Sequence, residues 1–197
     1  MSREGIVLVV MVAFAVVGTA HAQTVNWAYA EGGWAGWDPD RGSSETGWYL
    51  GGAFPLGKIP IHIFGEAGDY GPIDIWQIGA GWHGGLGERA DLFADAAIYD
   101  TDFDDGIKAR FGVRWMLTKR LELNGYLGFT SLDIRDNRSL AVNAVFDFSK
   151  RFGVGGGFEW GDEYSYARAI VRFNFGARTR TLERTGSGRG RDPRRSG

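Results

Sequence analysis

From Asp105 to Leu117 the chain changes character at every step. Ile107, Ala109, Phe111, Val113, Trp115 and Leu117 share one parity, while Lys108, Arg110, Gly112 and Arg114 hold the other. A period of two puts successive side chains on opposite faces of a strand, and no helix separates residues that way. The alternation recurs after short polar turns. Leu121, Leu123, Leu127 and Phe129 alternate with Glu122, Asn124, Tyr126 and Thr130. Leu140, Val142, Ala144, Phe146 and Phe148 alternate with Ala141, Asn143, Val145 and Asp147. Phe152, Val154, Phe158 and Trp160 then face glycines and Glu159, and Ala167, Ala169, Val171, Phe173 and Phe175 face Arg168, Ile170, Arg172 and Asn174. No window of residues 23–175 carries an amphipathic helical period.

In the N-terminal half the same reading predicts strands near 25–34, 46–54, 60–70, 73–83 and 91–99. The total is ten strands in five hairpins, with eight as the alternative. Connections at 55–59, 84–90, 118–120 and 149–151 read as tight. Those at 35–45, 71–72, 100–105, 133–138 and 161–164 form the other, longer set. A soluble barrel or sandwich would show the same alternation with its apolar face buried. Three features favour the membrane form. Strands of about ten residues fit a tilted span, the strand count is even, and short and long connections alternate. Aromatics also gather at strand ends: Phe54, Trp82, Trp115, Phe148, Phe152 and Phe175 at one end, and Trp34, Trp48, Trp76, Phe129, Trp160 and Tyr164 at the other. Such rings suit the two bilayer interfaces. Spanning strands must satisfy every backbone group, so they must close on one another. Pro39, Pro55, Pro60, Pro72 and Pro193 accordingly fall in connections, strand ends or the tail. The fold class expected is all-β, an antiparallel up-and-down transmembrane β-barrel.

Residues 1–22 differ in texture. Arg3 precedes an unbroken apolar run from Ile6 to Val17, and Ala20-His21-Ala22 places small residues where a signal peptidase needs them. The run is too short for a bilayer helix, which takes about 20 apolar residues. A buried N-terminal helix or a short anchor is the competing reading. Export with cleavage after Ala22 is the expectation, followed by a barrel at 23–175 and a basic, disordered tail at 176–197. The chain's net charge of −2 is then a cancellation: the tail's seven Arg against Glu183 and Asp192 give +5, over an acidic barrel. The mean hydropathy of −0.21 suits a soluble domain, but alternate polar residues give a membrane barrel the same average. With no Cys, thiolate metal sites and disulfide scaffolds are excluded.

An even strand count puts both termini on the periplasmic side. The tight turns there carry Lys58, Arg89, Lys119, Arg120, Lys150 and Arg151, and the outer connections are acidic. The polar parity makes Asp95, Lys108, Arg110, Arg114, Glu122, Asp147, Glu159, Arg168 and Arg172 the lumen charges. Register estimates set Asp95 opposite Arg110 and Glu159 opposite Arg168, a paired interior. Inward glycines (Gly51, Gly79, Gly81, Gly112, Gly128, Gly153, Gly155, Gly157) leave room for a narrow pore. A salt-bridged plug is preferred over that pore. Metal candidates are weak: Asp100, Asp102, Asp104 and Asp105 lack a calcium-loop spacing and read as a solvated acidic connection. His62 and His83 fall on inward faces near the periplasmic end without a fixed carboxylate partner. Ser43, Ser44, Ser131, Ser139 and Ser165 have no His with which to form a nucleophile pair, so no catalysis and no cofactor are expected. Expected partners are outer-membrane lipids and lipopolysaccharide, the barrel assembly machinery, and an anionic periplasmic partner for the tail. Nucleic acid does not fit the compartment.

With those residues in view, the chain resembles a family of small proteobacterial outer-membrane barrels found notably in xanthomonads. The similarity rests on the signal peptide, Tyr29-Ala30-Glu31-Gly32-Gly33-Trp34, the Gly47-to-Gly52 strand and the final Ala167-to-Phe175 strand. It covers roughly 23–175 and implies an outer-membrane barrel with no catalytic residues to carry over. The functional reading is a structural or surface-interaction protein. Alternatives are a small porin-like channel for ions or small solutes, and an outer-membrane enzyme.

Overall fold

The computed structural model describes residues 25–40, 42–102, 104–132 and 136–175. The expected signal peptide and basic tail lie outside the described residues. Ten strands follow in order: β1 Tyr29–Pro39, β2 Glu45–Pro55, β3 Ile61–Asp69, β4 Asp74–Gly85, β5 Ala90–Thr101, β6 Asp105–Met116, β7 Leu121–Leu132, β8 Asp136–Asp147, β9 Phe152–Gly161 and β10 Tyr164–Asn174. Each pairs antiparallel with the next, and β10 returns to β1 through Tyr29↔Asn174 to Pro39↔Tyr164, closing the sheet. Closure removes both sheet edges, so every strand has a partner on each side.

The faces are inverted relative to a soluble barrel. Leu50, Ile78, Ile98 and Val171 on the outer wall are about three-fifths exposed, at 60, 59, 58 and 58%. The deeply buried side chains include Arg114, Glu122, Asp91 and His62. An apolar belt around a charged interior is stable only if the belt faces hydrocarbon. Small apolar clusters also occupy the lumen, for example Trp27 with Phe93, Tyr126 and Ala141.

Three expectations change. First, β1 runs over Tyr29–Pro39 instead of 25–34. Residues 25–28 precede the strand, tied to β10 by Asn26 Nδ2 donating to Asn174 Oδ1 at 3.0 Å, and Trp27 is buried inside with 4% exposure. Second, the two sets of connections are of similar length: 40–44, 70–73, 102–104, 133–135 and 162–163 against 56–60, 86–89, 117–120 and 148–151. Polar residues at strand ends, such as Asp38 and Asp100, still pair in the ladder. Polarity marks where water begins, whereas backbone pairing continues beyond it. Third, Tyr164 leaves the outer aromatic rings, whereas Trp82 keeps the outward parity with its ring lying over Gly84. Tyr164 bonds inward to Glu159 and Trp82 is buried. Phe54, Trp115, Phe148, Phe152 and Phe175 remain exposed near the terminal end, and Trp34, Trp48, Trp76 and Trp160 toward the other.

Tight curvature needs glycine. A Cβ on Gly79 would lie 2.1 Å from the Ala96 carbonyl oxygen, and one on Gly47 would lie 1.7 Å from that of Asp69. At both positions the neighbouring backbone occupies the space of a side chain.

Candidate functional site: the charged lumen

Inward parity brings all nine expected lumen charges to the interior, but their partners are set across the barrel as much as along hairpins. The longest network alternates sign. Glu122 of β7 accepts from Arg114 of β6 and from Arg172 of β10, both at 2.7 Å. Arg172 continues to Glu31 of β1 at 2.7 Å, and Arg168 lies 3.8 Å from Glu31 and 3.1 Å from Glu66 of β3. Five strands are tied through one chain of carboxylates and guanidinium groups. Each arginine also covers an aromatic face: Arg114 over Trp27, Arg172 over Tyr29, Arg110 over Phe64 and Arg168 over Tyr49. Planar guanidinium groups suit this double use, because the rim donates while the face stacks.

Asp95 faces Arg110 as anticipated, 2.9 Å apart. Glu159 and Arg168 do not face each other. Glu159 pairs with Tyr166, and Arg168 stands opposite Gly157. The β9–β10 turn centres on Asp162-Glu163, as the expected 161–164 connection does; pairing Glu159 with Arg168 would need a centre one residue later, and such a shift moves every partner by two. Glu159 instead receives Tyr126 and Tyr164 hydroxyls at 2.7 Å each and lies 3.5 Å from Lys108. Asp147 accepts from Asn174 at 3.2 Å.

Near the terminal end, His62 and His83 meet with their Nδ1 atoms 3.1 Å apart. Asp95 supplies the carboxylate that sequence reasoning could not place, with Oδ1 3.0 Å from His62 Nε2. Trp27 stacks on both imidazoles and donates from Nε1 to Asp91 at 2.9 Å. Gly81 makes this possible, because a Cβ there would sit 2.0 Å from Asp95 Oδ1 and 2.6 Å from His62. No cluster of three or more metal-ligating side chains occurs among the described residues. Asp100 and Asp105 pair across the β5–β6 turn, Asp102 caps the Asp74 N–H at 2.8 Å, and Asp104 bonds to Thr101. Asp100 and Asp105 close the β5–β6 ladder, and Asp102 and Asp104 lie in the turn between them.

At the far end Tyr70, from the β3–β4 turn, folds inside and bonds to Tyr166 at 2.8 Å. Burial pushes the Tyr70 phenol up to about 12, so it stays neutral and bridges without charge. Between the two ends lies a cavity of about 40 Å3 bordered by Glu31, Glu66, Arg110, Arg168, Gln77, Asn124 and Asn143. Gln77 Oε1, Asn124 Oδ1 and Asn143 Nδ2 find no partner within the protein and border this space. Its size and polarity suit a few waters and are too small for a sugar or peptide.

The inward glycines do not widen a channel. A Cβ on Gly157 would meet Asn143 Oδ1 at 1.9 Å, one on Gly128 would meet Ser139 Oγ at 2.3 Å, and one on Gly153 would meet Asp147 Oδ1 at 2.6 Å. Neighbouring polar side chains fill the room the glycines leave. Trp27, Glu31, Glu66, Gln77 and Tyr70 were missed as lumen residues. Parity inside the weakly patterned β1, β3 and β4 could have found Glu31, Glu66 and Gln77. No periodic signal reports Trp27 or Tyr70, which lie outside the strands.

No family profile and no curated protein matches the chain in sequence. In structure it is similar to a KdgM porin at TM-score 0.52 and 7% identity, over 76% of this chain and 100% of that one. A second structure, the KdgM porin in complex with disordered oligogalacturonate, gives 0.50 and 7% over the same shares. The outer membrane protein OprG from Pseudomonas aeruginosa aligns at 0.37 and 12%, over 79% and 100%. The likeness is one of fold, a closed antiparallel β-barrel.

Proposed function

We propose that the chain is an integral outer-membrane barrel with a structural or surface-interaction role, its lumen closed to solutes in the conformation described. The observation that carries this reading is the interior itself: a cavity of about 40 Å3 amid cross-barrel ion pairs, closed by Trp27 below and Tyr70 above. The apolar belt supports insertion in a bilayer, and the even strand count supports termini on the periplasmic side. Membership of the xanthomonad group, and contacts with lipopolysaccharide and the assembly machinery, belong to the same proposal. Planar-bilayer recordings of the refolded protein at neutral pH test it, with no steps above leak as the expected result. Regular conductance steps would overturn the closed lumen.

A second reading, a porin-like pore for ions or small solutes, has one specific support. The lower closure is made by Trp27, a residue outside the barrel wall, so it can be withdrawn without unpairing a strand. The fold likeness to a porin fits this reading as well. Catalysis has no comparable support, since the one histidine pair is committed to Asp95 and Trp27.

A further inference from the structure

We propose that the β8–β9 turn and the phenylalanine wall beside it form a binding site for an anionic phospholipid of the leaflet at the terminal end. The proposal rests on the membrane-barrel reading and adds to it which headgroup the wall selects, and where.

The apolar part is a continuous platform. Phe152 opens β9 and stands opposite Phe173 of β10, with ring centroids 5.1 Å apart. Phe148 stacks on Phe152 at 6.3 Å and 11°, and Phe175 meets Phe173 at 5.1 Å. The four rings run across the ends of β8, β9 and β10, and Phe148, Phe152 and Phe175 are exposed on the outer wall. A phenyl ring has no polar handle, so the platform holds acyl chain and leaves the headgroup to other residues.

Lys150 and Arg151 supply that contact. They lie between Phe148 and Phe152, both exposed, and neither meets a carboxylate among the described residues. The turn is fixed from within. Ser149 Oγ accepts from the Arg151 and Phe152 N–H groups at 3.2 and 2.9 Å, and the Arg151 carbonyl accepts from the Asn174 N–H at 2.7 Å. With those two donors spent, the cationic side chains are what the turn offers an anion. Thr118-Lys119-Arg120 repeats the device in the β6–β7 turn, where Thr118 Oγ1 accepts from the Arg120 and Leu121 N–H groups. The Arg120 carbonyl accepts from the Asp147 N–H at 2.7 Å, so this second basic turn lies against the end of β8, beside the platform.

Charge complementarity names the occupant. The terminal-end turns at 56–60, 86–89, 117–120 and 148–151 carry Lys58, Arg89, Lys119, Arg120, Lys150 and Arg151 against one carboxylate, Glu88. At the other end Asp69 stands opposite Asp74, and Asp100 opposite Asp105, an arrangement that repels anions. Cations beside a membrane surface attract anionic headgroups, and a zwitterionic headgroup gains much less from them. An anionic phospholipid is therefore drawn to one end of the barrel and kept from the other, and at the favoured end its chains find the ring platform.

The chain contains no Cys, so Val154→Cys places one bimane dye on the outer wall of β9, two residues from Phe152. Ile98→Cys places it on β5, toward the acidic end. The refolded protein is set in phosphatidylcholine vesicles containing an equal share of either brominated-chain phosphatidylglycerol or brominated-chain phosphatidylcholine. Bromine quenches dye that it touches, so quenching reports which lipid sits at each position. At Val154 phosphatidylglycerol is expected to show a relative affinity roughly fivefold above that of phosphatidylcholine. At Ile98 it should show no preference. Lys150→Ser with Arg151→Ser should bring the ratio at Val154 to about one. Both cations lie outside the strand ladder, so this variant keeps its fold in phosphatidylcholine, as heat-modifiable migration verifies. Lys150→Gln alone, with a ratio about half that of the parent, serves if the double variant does not fold. Equal quenching by the two lipids at Val154, a ratio that survives the double variant, or the same ratio at Ile98 overturns the site and leaves the membrane barrel standing. Sodium phosphate and sodium chloride of equal ionic strength should lower the ratio equally, by screening. A larger fall in phosphate marks a site for free phosphate and overturns the lipid assignment. No quenching by either lipid at either position overturns the membrane barrel and the site with it.

Discussion

Glu122 shows what a single side chain can hold together. Its Oε1 accepts from Arg114 Nε at 3.2 Å, Arg114 Nη2 at 2.7 Å and Arg172 Nη1 at 2.7 Å, with 2% of the residue exposed. Removing one member of a buried ion pair strands the charge that remains. Glu122→Gln is therefore expected to cost about 3–5 kcal/mol, read as a lowered urea midpoint in vesicles. Lys150→Ala, in an exposed turn, should leave that midpoint where it is. Gly81→Ala tests a different physics. Its methyl would enter the space where His62 reaches Asp95, so overpacking of about 1–3 kcal/mol is expected. Here the missing side chain of one residue is the contact surface of two others.

At the scale of the strand, each element serves two solvents at once. The outer parity meets hydrocarbon and the inner parity meets charge, so the same substitution differs in effect one residue along. Val171→Arg, on the outer face at 58% exposure, is expected to cost about 2–4 kcal/mol in vesicle refolding, the range for a cation near mid-bilayer. Its neighbour Arg172 is already inside and paired. Closure between the first and last strands is testable in the same terms. Ala30 stands opposite Phe173, so Ala30→Cys with Phe173→Cys should form an intramolecular disulfide on mild oxidation, detected by a mobility shift that a reductant reverses. Ala30→Cys with Val171→Cys, two residues out of register, should not. From β2 to β7 the strand boundaries fall within two residues of the sequence reading, whereas β8 begins inside the expected 133–138 connection and β1 begins four residues later than expected. In β1 the expected strand of 25–34 included Trp27, which lies ahead of Tyr29, where the strand begins, and is buried in the lumen.

For the whole molecule the decisive balance is between radius and filling. Ten strands enclose an interior that side chains can span, as the 2.7 Å contact from β10 to β7 shows. Charges on opposite walls therefore meet directly, and the polar interior becomes a cross-brace. The closed, fully paired barrel should resist SDS at room temperature and migrate faster unheated than boiled. It should also fractionate with outer membranes, and recovery of processed protein in the soluble periplasm would contradict the proposed location. Similar connection lengths at both ends leave little loop to form an extracellular domain. Among the described residues the turns at both ends are short, and several of those at the far end are acidic.

The sequence by itself determined the architecture: a period of two repeated through ten segments, strands of bilayer length, and all nine lumen charges on one parity. These are local properties, decided by which side of a strand a residue leaves from, and they survive errors of a residue or two at the ends. Tertiary structure alone decided who pairs with whom. Arg172 and Glu31 are 141 residues apart, and Trp27 and Asp91 are 64 apart. Their meeting depends on the closure and curvature of the whole sheet. Placing the β9–β10 register one residue from its true centre is enough to pair Glu159 with Arg168, which the folded sheet keeps apart. Whether the interior is open or filled followed the same rule: glycines in the sequence look like space, and only the folded barrel shows whose side chains occupy it.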